Sequence, residues 1–189
     1  MAIKFTPLGA GGAYVIDPER FEDERGFLGR AYSEPEFAAL GVARPLVEAI
    51  ISYNARRHTV RGLHYQRPPR AQAKLVRCTA GAVYDVVVDV RPGSETFGRW
   101  EAVELTAANR RMIYVPEGFA HGYQTLEDST EVFYLASDFY APEYAEGLRW
   151  DDPALGIRWP ETERVTINER DRTCPGLDPG RLREDGGGV

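Results

Sequence analysis

Between residues 82 and 90 the chain alternates. Tyr84, Val86, Val88 and Val90 fall on one side of an extended segment, and Val83, Asp85, Val87 and Asp89 on the other. This two-residue period predicts a strand, preceded by a strand over 74–78, with Thr79-Ala80-Gly81 as the hairpin turn between them. Segments 99–105, 111–115 and 130–136 read as further strands, the last putting Thr130, Val132, Tyr134 and Ala136 on one face. Helical periodicity is nearly absent. Its best case is 33–40, where Ser33 and Glu36 have the capping-box spacing and Gly41 stands where a helix stops. Short strands punctuated by Gly and Pro turns predict an all-β domain, a jelly-roll barrel with short flanking helices, rather than alternating β/α units. Residues 1–175 read as that domain. Residues 176–189, rich in Gly, Pro and charge, read as a mobile C-terminal tail.

A chain of 189 residues is long enough for one good core, and 43% hydrophobic with 28% charged residues is ordinary globular composition. No apolar run reaches the roughly 18 residues of a membrane span, and the N-terminus lacks the apolar core of a signal peptide. No membrane partner is therefore expected, and the expected location is cytoplasmic. Cys78 and Cys174 lack metal-ligand spacing and read as free thiols of a reducing compartment. A net charge of −6 argues against nucleic acid as a partner. It leaves room for a small anion, because Arg61, Arg67, Arg70, Lys74 and Arg77 cluster locally and suit a diphosphate.

The candidate chemistry lies in Arg61-Gly62-Leu63-His64-Tyr65-Gln66 and in Lys74 beyond it. Strict alternation puts Arg61, Leu63 and Tyr65 on one face and Gly62, His64 and Gln66 on the other, so only a bulge at Gly62 brings Arg61 and His64 to one pocket. Lys74 shares a face with Gln72, Val76 and Cys78, and an inward lysine is costly unless an anion or a water-filled pocket receives it. Taken singly, a strand histidine, lysine or tyrosine is most often structural. Taken together, a base beside fixed cations suits removal of a proton from carbon and stabilisation of the anion left behind. Pro116-x-Gly118-x-x-His121 resembles the second histidine motif of the cupin barrels. Their first motif supplies His-x-His and a glutamate, where this chain has His64-Tyr65-Gln66. Two histidines from distant strands are too few for a metal site, so no metal is expected.

Several motifs in order resemble the dTDP-4-dehydrorhamnose 3,5-epimerase family. They are Phe21-x-Asp23-x-Arg25-Gly26-x-Leu28, Arg61-Gly62-Leu63-His64-Tyr65-Gln66, Gly93-Ser94-x-Thr96-Phe97-Gly98-Arg99-Trp100, Pro116-Glu117-Gly118-Phe119-Ala120-His121-Gly122 and Trp150-Asp151-Asp152-Pro153. The resemblance implies a cupin-like jelly roll, a homodimer through exchanged N-terminal strands, no cofactor, and a nucleotide-diphospho-4-keto-6-deoxy sugar as substrate. It implies His64 as general base, Asp171 as the carboxylate behind its imidazole, Lys74 at the enolate oxygen and Tyr134 as the acid on the opposite face. It also implies His121 in the sugar pocket and Arg25 and Arg61 at the sugar-nucleotide; Arg30 and Gln66 are expected as further substrate contacts.

The chain departs from the family pattern twice. Arg30 stands where the family has a glutamate near the thymine base; arginine only donates, which suggests a base offering an acceptor, such as cytosine. In the segment Ile51-Ser52-Tyr53-Asn54-Ala55-Arg56-Arg57-His58 the usual Asn-x-Ser-x-Ser pattern is lost, which leaves open inversion at C3 alone, C5 alone or both. A 3-epimerase, a 3,4-ketoisomerase and a non-enzymatic sugar-nucleotide-binding cupin are the alternatives.

Overall fold

The computed structural model describes residues 1–42 and 44–180. A six-stranded antiparallel sheet has the order β1-β2-β10-β7-β12-β5, formed by Ile3–Pro7, Tyr14–Pro18, Met112–Val115, Lys74–Ala80, Thr130–Ala136 and Glu48–Asn54 respectively. A five-stranded sheet has the order β13-β6-β11-β8-β9, formed by Ala145–Gly147, Val60–Gln66, Phe119–Thr125, Ala82–Asp89 and Trp100–Thr106. Two more strands, β3 (Arg20–Asp23) and β4 (Gly26–Gly29), pair only with each other. The helices are short, α1 (Glu34–Ala38) and α2 (Glu169–Arg172). This is the all-β, cupin-like jelly roll that the strand spacing and the resemblance led us to expect.

The core lies where the two sheets face each other. Val76, Cys78, Ile113 and Val132 from one meet Val83, Val87, Leu105 and Phe119 from the other. The outer face of the five-stranded sheet is also dry. Val86 and Val88 of β8 pack there with Trp150, Leu155 and Trp159 from the C-terminal segment. Burial on both faces explains why β8 is so rich in valine. Leu177 packs on the same cluster, its N–H donates to Asp152 Oδ2 (2.6 Å), and Pro175 O accepts from Arg149 N (2.8 Å). Fixed contacts thus continue past 175 into the anticipated tail. Its last nine residues, 181–189, lie outside the described residues.

Two local expectations are corrected. The strands β7 and β8 do not form a hairpin. They belong to different sheets, and Thr79-Ala80-Gly81 is the corner between them. Gly81 has φ +71°, and a Cβ there would stand 3.2 Å from Thr130 Cα and closer still to its hydroxyl, so the corner has no room for a side chain. The helix at 33–40 does form, as Glu34–Ala38, with Gly41 at φ +83° beyond it. Its capping box does not close. Ser33 makes no side-chain cap bond, and the Glu36 carboxylate accepts instead from Arg30 (2.9 Å) and from the Ile3 N–H (3.2 Å).

Candidate active site

The site begins with a bulge. On β11, His121 pairs with β6 residue His64, whereas Tyr123 pairs with Arg61, so two steps along β11 match three along β6. The extra residue resets the alternation, and Arg61 and His64, three apart, line one cavity. Gly62 makes this geometry with φ +105°, and a Cβ there would meet His121 O at 2.6 Å and Gly122 Cα at 2.7 Å.

Asp171 stands behind His64. Its Oδ1 lies 2.8 Å from His64 Nε2, and its Oδ2 accepts from the Gly62 N–H at 3.0 Å. Asn168 caps α2 by accepting from the Asp171 N–H (2.7 Å), which fixes where the carboxylate sits. Burial alone would raise the Asp171 pKa, but the His64 and Gly62 hydrogen bonds outweigh it and hold the carboxyl below its usual range. An ionised carboxylate only accepts, so His64 Nε2 is the donor of this bond, and in the neutral imidazole the lone pair is then on Nδ1. The His64 side chain is 40% exposed, open to the cleft, while that of Asp171 is 3% exposed.

Two adjoining cavities of about 380 and 350 Å³ share His64, Lys74, Tyr134 and Ile50 in their walls. Lys74 lies on β7, and its Nζ is 5.9 Å from the centre of the Tyr134 ring on β12. Burial pulls the Lys74 pKa down to about 8, with Asp85 opposing the shift. Burial first, then the neighbouring Tyr123 and Glu48, pushes the Tyr134 phenol above its usual value, so it is a protonated donor at neutral pH. His64 comes from the five-stranded sheet, and Tyr134 and Lys74 from the six-stranded one. The cleft therefore offers a base from one wall, and an acid and a cation from the other.

His121 also reaches this cleft, its Nε2 3.0 Å from both carboxylate oxygens of Asp85. Asp85 is fully buried between Val83 and Val87 of the core face, and burial raises its pKa against the pull of His121 and Lys74. Sequence reasoning missed this second pair, although a carboxylate at a core-facing position of a valine strand signals that it needs a partner. It missed Arg170 as well, which lines the cleft and donates to the Tyr140 hydroxyl at 3.4 Å.

Gln66 reaches the cleft wall, but its polar atoms hold loops. Nε2 donates to Arg70 O (2.7 Å), and Oε1 accepts from the Ala141 N–H (2.8 Å). Two expected contacts are not brought in. Arg25 is 85% exposed on the β3–β4 hairpin and pairs with Asp23, and Arg30 pairs with Glu36 at 2.9 Å. Within one chain neither lines the cavities around His64. Among the described residues no three His, Cys, Asp or Glu side chains group as metal ligands, and no helix is long and apolar enough to cross a membrane.

The family model described as dTDP-4-dehydrorhamnose 3,5-epimerase matches residues 8–179. The chain is 43% identical over 173 residues to the dTDP-4-dehydrorhamnose 3,5-epimerase of Sinorhizobium fredii, an alignment covering 92% of this chain and 89% of that one. Its fold superposes, with TM-score 0.88 and 39% identity, on the Bacillus anthracis dTDP-4-dehydrorhamnose 3,5-epimerase solved with TDP and PPi bound, covering 93% of this chain and 100% of that one. ChmJ, a 3'-monoepimerase from Streptomyces bikiniensis solved with dTDP-quinovose, gives TM-score 0.85 at 33% identity, covering 94% and 90%. Ordered motifs, a jelly roll with a base and an acid on facing walls, and relatives of this identity along nearly the whole length converge on one assignment: the chain belongs to the dTDP-4-dehydrorhamnose 3,5-epimerase family.

Proposed function

We propose that this epimerase inverts C3, C5 or both in a nucleotide-diphospho-4-keto-6-deoxyhexose without a cofactor. The observation that carries the reading is the placement of His64, backed by Asp171, and Tyr134 on opposite sheets with Lys74 beside Tyr134. Carbons 3 and 5 flank the 4-ketone, so loss of either proton gives an enolate. His64 Nδ1 takes the proton, and the electron pair moves to the C4 oxygen, where the Lys74 ammonium receives it. The Tyr134 hydroxyl then protonates the carbon from the other face, its phenolate is reprotonated from solvent, and His64 Nδ1 releases its proton to solvent, which restores both groups. A positioned base contributes about 10²–10⁴-fold. A preorganised cation at the developing oxyanion adds about 10²–10³-fold. Arg61, on the wall beside His64, suits the diphosphate, and His121, held by Asp85, suits the sugar.

A second reading, inversion at C3 alone, draws on the lost Asn-x-Ser-x-Ser pattern around β5 and on the likeness to the 3'-monoepimerase ChmJ. For the nucleotide, Arg30 is paired with Glu36 away from the cavities around His64, so its departure from the family pattern does not carry an argument for cytosine. Thymidine diphosphate, which the Bacillus anthracis relative binds, is therefore the nucleotide we assign. Arg25 and Arg30 sit on or beside a hairpin that exposes Phe21, Phe27 and Leu28, which supports a homodimer in which this hairpin docks on a second copy. Cytoplasmic deoxysugar synthesis is the setting that this substrate implies.

The test is NMR in D₂O with dTDP- and CDP-linked 4-keto-6-deoxyglucose. Deuterium at C3 and C5 is expected for the double epimerase, and at C3 alone for the second reading. Binding without exchange would overturn the enzymatic reading, and faster turnover of the CDP sugar would overturn the thymidine assignment.

A further inference from the structure

Arg61 reaches the cleft on a long side chain, and something must aim it. Asn54, at the end of β5, is 2% exposed, and its amide is fully engaged. Nδ2 donates among Ser52 O (3.1 Å), Thr130 O (3.3 Å) and the Tyr123 hydroxyl (3.3 Å). Two of these partners are carbonyls, which only accept, so the amide has one orientation and Oδ1 points the other way. Oδ1 receives the Arg61 Nε–H at 2.7 Å, while Arg61 Nη2 donates to Tyr53 O at 3.2 Å. The Tyr123 hydroxyl is in turn tied to Ser52 Oγ at 2.8 Å.

One edge of the guanidinium is thereby held by β5, and its Nη1 hydrogens remain for a ligand in the cavity that Arg61 lines together with His64. A guanidinium is a rigid planar fork, so fixing one edge fixes the direction of the other. Asn54 itself is not among the residues lining that cavity. It lies within the segment where this chain departs from the family pattern.

We propose that Asn54 is a positioning residue, which aims Arg61 at the diphosphate of the nucleotide sugar; this rests on Arg61 as a diphosphate contact. Asn54 exerts its effect through Arg61, so its contribution to binding vanishes once Arg61 is gone. A purely structural Asn54 would weaken binding by the same factor in either background, because independent effects add in free energy.

The experiment is a double-mutant cycle on the full chain, reading the Kd of dTDP by titration calorimetry and the KM and kcat of the dTDP-linked substrate. Arg61→Ala is expected to weaken dTDP binding about 10- to 100-fold, in the range of a charge-assisted bidentate contact. Asn54→Ala is expected to cost about 5- to 10-fold in Kd and KM with kcat changed less than about twofold, and under about twofold in Kd when Arg61 is already alanine. If Asn54→Ala does not fold, Asn54→Ser serves, since it is too short to reach Arg61 Nε but keeps a polar group against the neighbouring carbonyls. Equal losses in both backgrounds would overturn the positioning role. Unchanged dTDP affinity in Arg61→Ala would instead overturn the diphosphate contact, and the inference with it.

Discussion

At the residue scale, the proposed chemistry depends on three side chains whose protonation is set by their surroundings. His64 is kept as the Nε2–H tautomer by Asp171, Tyr134 is kept protonated by burial, and Lys74 is pulled down to about 8 by burial. The sign for Lys74 has two consequences. Its usual value is 10.5, so the folded protein binds this proton less tightly than the unfolded chain. The resulting cost to stability is greatest below about pH 8 and is relieved as pH rises towards 10.5. In the proposed mechanism activity moves the other way, because the ammonium assigned to the enolate oxygen is lost above about pH 8. We expect kcat/KM, which reports the free enzyme, to fall on that alkaline limb. Lys74→Arg should move the fall to higher pH, and Lys74→Met should lower kcat/KM about 10²–10³-fold below about pH 8 and remove the alkaline limb. A wild-type profile that stays flat to about pH 10 would remove Lys74 from this role. Two-residue alternation put Lys74 and Tyr134 on inward faces, and the resemblance supplied the roles proposed for them. Asp85 was on the correct face of β8 yet was not read as a partner, because its mate His121 lies 36 residues away on a strand that only the topology brings alongside.

At the element scale, the strands were legible and their partners were not. The period-2 pattern locates β8 within a residue, and 130–136 matches β12. Which strands pair is a long-range matter. The Gly81 corner sends β8 into the opposite sheet from β7, which is why the expected hairpin is absent. Gly62 shows the same limit at closer range. Composition made a bulge conceivable there, but only the approach of Gly122 and His121 demonstrates that the backbone needs it. The β3–β4 hairpin makes its own prediction. With Phe21 50%, Phe27 44% and Leu28 66% exposed, it shows solvent an apolar face that a second copy would cover. Sedimentation equilibrium should give about twice the 21.2 kDa chain mass, and Leu28→Asp should shift it towards monomer. A wild-type protein at 21.2 kDa across the micromolar range would contradict the dimer.

At the scale of the whole molecule, the jelly roll does for this reaction what no single element can. Inversion requires a base and an acid on opposite faces of one carbon, and two facing sheets supply two walls. The motifs in their order made the fold and the cleft's main residues legible. Arg25 and Arg30 were read into the same site because the motifs gave order without distance, and within one chain both lie outside the cleft. The central claim is that His64 removes the proton and Tyr134 returns one from the other wall. The most direct measurement follows deuterium wash-in and net inversion together in Tyr134→Phe, by NMR in D₂O, with His64→Ala as the exchange-dead reference. We predict that Tyr134→Phe keeps a substantial share of the wash-in, since His64 and Lys74 still form the enolate, while inversion falls at least about tenfold further, consistent with loss of a general acid. Equal loss of wash-in and inversion in Tyr134→Phe, or wash-in surviving in His64→Ala, would contradict it.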